Sequence, residues 1–121
     1  MQHHTAQHIL TRAFIDTGGI ETASFHLGSE AVTIDLDCPA LSDSAIEAAE
    51  ALANAIVIQD LPVRAWFPTP EERAALALRK VPAVEGSLRV VQIGGYDATA
   101  CGGTHVARTG EIGVIKVLRT E

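Results

Sequence analysis

Apolar residues recur every three or four positions at the start of the chain, where Ala6, Ile9, Leu10, Ala13 and Phe14 form one stripe ahead of Gly18-Gly19. That period predicts an amphipathic helix over Gln2 to Asp16, stopped by the glycines. The pattern then changes to alternation. Glu21 to Leu27 and Ala31 to Asp37 each alternate around Gly28-Ser29-Glu30, which predicts a hairpin, and Cys38-Pro39 ends its second strand. Helical spacing returns from Ser42 to about Gln59 through Ala45, Ala49, Leu52, Ala53 and Ile56, with Ser44-x-x-Glu47 read as the capping box. Pro62 to Phe67 is a short strand candidate, and Thr69-Pro70-Glu71-Glu72 opens a brief helical turn. The last two strands are expected at Ser87 to Ile93 and Ile112 to Leu118, with a glycine-rich loop over Gly94 to Glu111 between them.

Strands that follow one another through hairpins, with two helices left to cover them, predict an α+β domain in which two helices pack on an antiparallel sheet. At 121 residues and 47% hydrophobic composition, a single domain over 1–121 with one core is expected. No apolar run is long enough to span a bilayer, and the first residues are polar and histidine-rich, so no membrane partner is expected and the cytoplasm is the expected compartment. Cys38 and Cys101 are then free thiols.

The net charge of −6 argues against a general nucleic-acid binder and against DNA as a partner. The charge is uneven, however. Residues 1–60 carry Arg12 as their one basic residue, while Arg64, Arg73, Arg79, Lys80, Arg89, Arg108, Lys116 and Arg119 all lie in the second half. Contact with a polyanion is therefore expected there, chiefly through Arg79, Lys80, Arg108, Lys116 and Arg119, with ordinary solvated charge as the alternative.

The candidate chemistry lies in two histidine motifs. His4 and His8 are four apart, which sets their imidazoles one helical turn apart on one side. On a helical wheel that side lies nearly opposite the apolar stripe, so the pair is not expected in the main core. The spacing matches the metallopeptidase H-E-x-x-H, but Thr5, Ala6 and Gln7 fill the interval and the glutamate base is missing. Far downstream, Cys101-Gly-Gly-Thr-His105 adds a thiolate and a third imidazole on a loop whose glycines permit close approach. A buried thiol with packed or solvated histidines is the plain alternative. Taken together, His4, His8, Cys101 and His105 are the borderline-soft donor set that suits Zn2+ and disfavours calcium or magnesium.

With its flanks, the pattern closely resembles a known family. His4-Thr-Ala-Gln-His8-Ile-Leu, Leu78-Arg-Lys-x-Pro82, Val84-Glu-Gly86, Arg89-Val-Val91, Cys101-Gly-Gly-Thr-His105-Val and Thr109-Gly-Glu-Ile-Gly113 are similar to the editing domain of alanyl-tRNA synthetases and the free-standing alanyl-tRNA editing proteins. The resemblance implies an α+β editing fold, zinc on those four ligands between the first helix and the glycine-rich loop, and hydrolysis of serine or glycine wrongly attached to the tRNA for alanine. It departs in one respect. Free-standing members usually carry a further N-terminal β-rich domain, whereas the first ligand here is the fourth residue, so that domain is expected to be absent.

For such an aminoacyl-tRNA deacylase, contact is expected at the acceptor end of the tRNA. Cys101, with its thiolate chemistry, is a candidate catalytic residue as well as a ligand. Gln7 can hydrogen-bond substrate or water, and Thr104 with the Gly102 and Gly103 amides can cradle an oxyanion or the ribose. His26 and Asp97 are further polar candidates, for orienting a ligand imidazole or moving a proton. A non-catalytic zinc module that binds RNA or protein, a hydrolase of small esters or amides, and threonyl-type editing of seryl-tRNA stand as alternatives.

Overall fold

The computed structural model describes residues 2–28, 31–37, 41–76, 78 and 88–117. Helix α1 (Gln2–Gly18) opens the chain and ends where Gly19 turns left-handed at φ 64°. The turn lets the Gly19 and Ile20 amides close on the carbonyls of Ile15 and Phe14. Strands β1 (Thr22–Leu27) and β2 (Val32–Leu36) form an antiparallel hairpin with Phe25 opposite Ile34. Helix α2 (Asp43–Gln59) follows. Its N-cap is Ser42, whose hydroxyl accepts from the Ala45 amide, and not the expected Ser44. Ser42 has the extended backbone that a cap requires, while Ser44 is already inside the first turn.

Strand β3 (Val63–Trp66), the short helix α3 (Pro70–Ala75) and strands β4 (Val90–Ile93) and β5 (Asp97–Ala100) complete the main elements, followed by a single 3-10 turn at Thr109–Glu111. α3 opens where the brief helical turn was expected, on a capping box in which Thr69 and Glu72 exchange side-chain to backbone bonds. The strands form an antiparallel sheet in the order β3-β4-β5, with Trp66 opposite Val90 and Val90 opposite Ala100.

The α+β class with antiparallel pairing holds, but the described residues form two sheets and three helices where one sheet and two helices were expected. Two departures also change which segments are strands. β5 lies inside the stretch read as a glycine-rich loop, and Ile112 to Val117 is not a strand. The backbone of that segment bonds to side chains of α2. Asn54 accepts from the Ile115 amide at 2.7 Å and donates to its carbonyl at 2.8 Å, and Glu50 accepts from the Val117 amide at 2.8 Å. A ladder needs backbone partners, and here carboxamide and carboxylate take their place. Leu118, the expected last residue of that strand, lies outside the described residues.

The core sits between the two long helices and the sheet. Ile9, Ala13 and Phe14 of α1 meet Ala49, Ala53, Ile56 and Val57 of α2, with Ile93 and Ile115 closing the cluster. Ala13, Ala49 and Ala53 are wholly buried, which lets the helix backbones approach closely. Tyr96 ties the sheet to α1 by donating to the Ile9 carbonyl at 3.0 Å. Thr5, His8 and Thr11 are also buried, on a second side of the same helix. α1 thus shows apolar residues to α2 and a polar row to β5 and the loop that follows it.

Candidate metal centre

The four expected ligands converge. One donor atom each from His4, His8, Cys101 and His105 lies within 4.8 Å of all the others. Cys101 Sγ is 3.4 Å from His4 Nε2 and 3.5 Å from His105 Nε2. Tetrahedral zinc with bonds of about 2.0 to 2.3 Å places its ligands roughly 3.3 to 3.8 Å apart, so these separations suit such an ion. The chemistry of the donors and the two Cys101 separations therefore fit the metal.

Local structure explains the convergence. α1 sets His4 and His8 one turn apart, with ring centroids 4.9 Å from each other, and β5 delivers Cys101 directly from its last residue. Beyond Cys101 the loop folds back against α1. Arg89 holds this return by donating to the Cys101 and Gly103 carbonyls at 2.7 and 2.9 Å. The Gly103 amide donates to Cys101 Sγ at 3.4 Å, which takes that amide out of any oxyanion cradle. Gly103 is packed so tightly that an added Cβ would overlap the His4 ring. His105 is fixed from behind by Thr5, whose Oγ1 is 2.9 Å from Nδ1. His8 has the buried Asp97 carboxylate behind its own Nδ1 at 4.0 Å.

The electrostatics favour metal-ready rings. Burial, with the nearby Arg89 charge as a lesser cause, pushes His4 below the usual imidazole range. Burial, then the neighbouring His4, then Arg89, push His105 down to about 4. Near neutral pH His4 and His105 therefore offer lone pairs rather than protons.

His4, His8 and Cys101 of the quartet open on a cavity of about 670 Å³ walled by α1, β1 and the end of β5. Gln7 lines it and is 3% exposed, with its amide nitrogen given to Thr11 Oγ1 at 2.9 Å. A smaller cavity of about 260 Å³ also touches His4, with the exposed Thr104 on its wall. The two polar candidates thus line different cavities that share His4. His26 is exposed on β1 and lines neither cavity.

Arg108 and Lys116 are exposed and paired within the chain, Arg108 with Asp60 at 2.9 Å and Lys116 with Glu50 at 3.6 Å. Arg79, Lys80 and Arg119 lie outside the described residues. Sequence reasoning missed Arg89 and Thr5 as parts of the site. Both stand inside quoted motifs, but residue type and spacing give neither a role, because Arg89 acts through backbone carbonyls and Thr5 through a partner 100 positions away.

Comparison with known proteins points the same way. A family profile described as the threonyl and alanyl tRNA synthetase second additional domain matches residues 88–121. The alanyl-tRNA editing protein AlaX-L of Pyrococcus horikoshii is 40% identical over 121 residues, spanning 98% of this chain and 30% of the relative. The alanine–tRNA ligase of Thermofilum pendens is 42% identical over 128 residues, spanning 100% of this chain and 14% of the ligase. The alanyl-tRNA editing protein Aarsd1-A of Xenopus laevis is 34% identical, again over 100% of this chain and 30% of the relative. The chain thus spans less than a third of each of these relatives.

Proposed function

Because this chain belongs to the alanyl-tRNA editing family, we propose that it is a zinc-dependent deacylase that clears serine or glycine from mischarged tRNA for alanine. The observation that carries this reading is the gathering of three imidazoles and one thiolate beside a cavity of about 670 Å³. His4, His8, Cys101 and His105 would hold the metal, and Cys101 then serves as a ligand and not as a nucleophile. A zinc ion bound there would supply Lewis acidity toward the ester carbonyl or toward water.

The chain's own residues do the rest. An aminoacyl ester is already reactive, so orientation and exclusion of bulk water are what the site must add. The larger cavity takes the acceptor end of the tRNA, with Gln7 as an amide partner held still by Thr11. Thr104 offers a hydroxyl on the wall of the smaller cavity, where it meets the ribose or the developing oxyanion. Arg89 keeps the loop closed under the charge of an arriving phosphodiester.

The test is release of free amino acid. Zinc-loaded protein should free serine, and glycine more weakly, from tRNA for alanine while sparing the correctly charged alanyl ester. Equal cleavage of the seryl and alanyl esters would remove the editing reading. One observation favours a second reading: four protein donors already fill a tetrahedron, as in structural zinc sites. A chain that holds zinc, binds tRNA and releases no amino acid would support that reading.

A further inference from the structure

Thr5 lies on α1 between the two histidines of its own motif, yet its hydroxyl serves the other motif. Oγ1 is 2.9 Å from His105 Nδ1 and accepts from the Val106 amide at 3.1 Å. The side chain is wholly buried. A hydroxyl oxygen has two lone pairs and one proton, and Val106 occupies one lone pair. His105 therefore meets either the second lone pair or the proton, and the two choices impose opposite ring tautomers. If Nδ1 donates, Nε2 is bare, and Nε2 is the atom 3.5 Å from Cys101 Sγ. If Thr5 donates instead, Nε2 carries a hydrogen into the space where the other donors converge.

We propose that Thr5 is a positioning residue for the metal centre, holding His105 with its ring proton on Nδ1 so that the Nε2 lone pair faces His4, His8 and Cys101. The choice is made before any metal arrives, because the contacts of Thr5 with His105 and Val106 come from the folded chain. The same contacts fasten the Cys101 to His105 loop to α1, so one hydroxyl sets both the place of the loop and the chemistry of its imidazole. A β-branched side chain suits this task, since its χ1 is restricted on a helix and the hydroxyl is held in few orientations. The proposal rests on the metal reading above for its consequence and not for its geometry.

The experiment begins with the metal-free, nitrogen-15-labelled full chain. Long-range proton–nitrogen spectra near neutral pH should show His105 protonated at Nδ1 and bare at Nε2. A ring protonated at Nε2, or an even mixture, overturns the proposal without any variant. Zinc affinity is then measured by chelator competition. Thr5→Val should bind zinc about 10- to 100-fold more weakly and lose the single tautomer, while Thr5→Ser retains most of both. A merely structural Thr5 would lower the melting temperature in Thr5→Val and leave tautomer and affinity unchanged, which also overturns the proposal. If Thr5→Val fails to fold, the wild-type spectrum and Thr5→Ser decide. A wild-type chain that binds no zinc overturns the metal reading, whereas the tautomer, read without metal, judges Thr5 separately.

Discussion

Gly102 and Gly103 are neighbours in one motif and have different reasons to be glycine. Neither has a positive φ, so dihedral freedom is not what either position needs, and the close approach expected from the sequence is left to separate them. The difference is space. A Cβ at Gly103 would overlap the His4 imidazole, whereas one at Gly102 meets nothing within 4 Å. Gly103→Ala must therefore displace either a ligand or the loop carrying two more, and zinc per chain by elemental analysis should fall toward that of His4→Ala. Gly102→Ala should keep full zinc, and equal losses in the two variants would refute the packing argument. A second residue-scale expectation concerns pH. The His105 pKa is lowered to about 4 mainly by burial, against 6.5 for a free imidazole. As pH falls through that interval the unfolded chain takes up a proton that the folded chain refuses. The metal-free protein should thus lose stability from about pH 6.5 down to about pH 4, with a shallower loss in His105→Ala, as read from thermal melts. The ligands themselves were legible in the sequence because their type and spacing carry the signal. Thr5 and Arg89 were not, since each acts through a contact that only the folded chain creates.

At the scale of elements, both long helices follow from apolar periodicity, which is read over many residues and tolerates local error. Their ends depend on single residues. Ser44→Ala should change stability little, while Ser42→Ala should cost about 0.5 to 2 kcal/mol in denaturant melts, because only Ser42 caps the first turn of α2. The reverse ranking would restore the cap inferred from the Ser44-x-x-Glu47 pattern. β5 was hidden for another reason: Asp97, Ala98, Thr99 and Ala100 are small or polar, and their strand character comes from pairing with β4. The Gly94-Gly95 turn was its one local sign, with Gly94 at φ 49°. Ile112 to Val117 failed in the opposite direction, having strand-like alternation but no partner strand among the described residues. Since Asn54 makes both backbone bonds to Ile115, Asn54→Leu should leave two groups unpaired and cost about 1 to 3 kcal/mol for each that stays buried. Hydrogen exchange at the Ile115 amide should quicken with it, and an unchanged rate would show that another partner holds the segment.

Over the whole molecule, the uneven charge seen in the sequence acquires a different meaning once partners are known. Among the described residues, Arg12 pairs with Asp16, Arg108 with Asp60 and Lys116 with Glu50, while Arg89 is turned onto loop carbonyls. The second half is basic in count, yet several of its cations are already engaged. A polyanion must break those pairs or rely on the other cations of the second half, Arg64 stacked on Trp66, Arg73, Arg79, Lys80 and Arg119, so few phosphates should be neutralised. If the proposed tRNA contact is confined to the acceptor end, the logarithm of binding should fall with the logarithm of salt at a slope of about two to four, where an extensive interface gives about six to ten. A charged acceptor-stem minihelix should then be deacylated nearly as fast as whole tRNA. Lys80→Ala should weaken binding while zinc content stays at one per chain, because that position belongs to neither ligand motif. Arg108→Ala should do little to binding, since it removes a cation already held by Asp60 at 2.9 Å. A minihelix cleaved far more slowly than whole tRNA, or a slope near that of an extensive interface, would mean that this acidic chain reads the body of the tRNA, and would overturn the short-reach account.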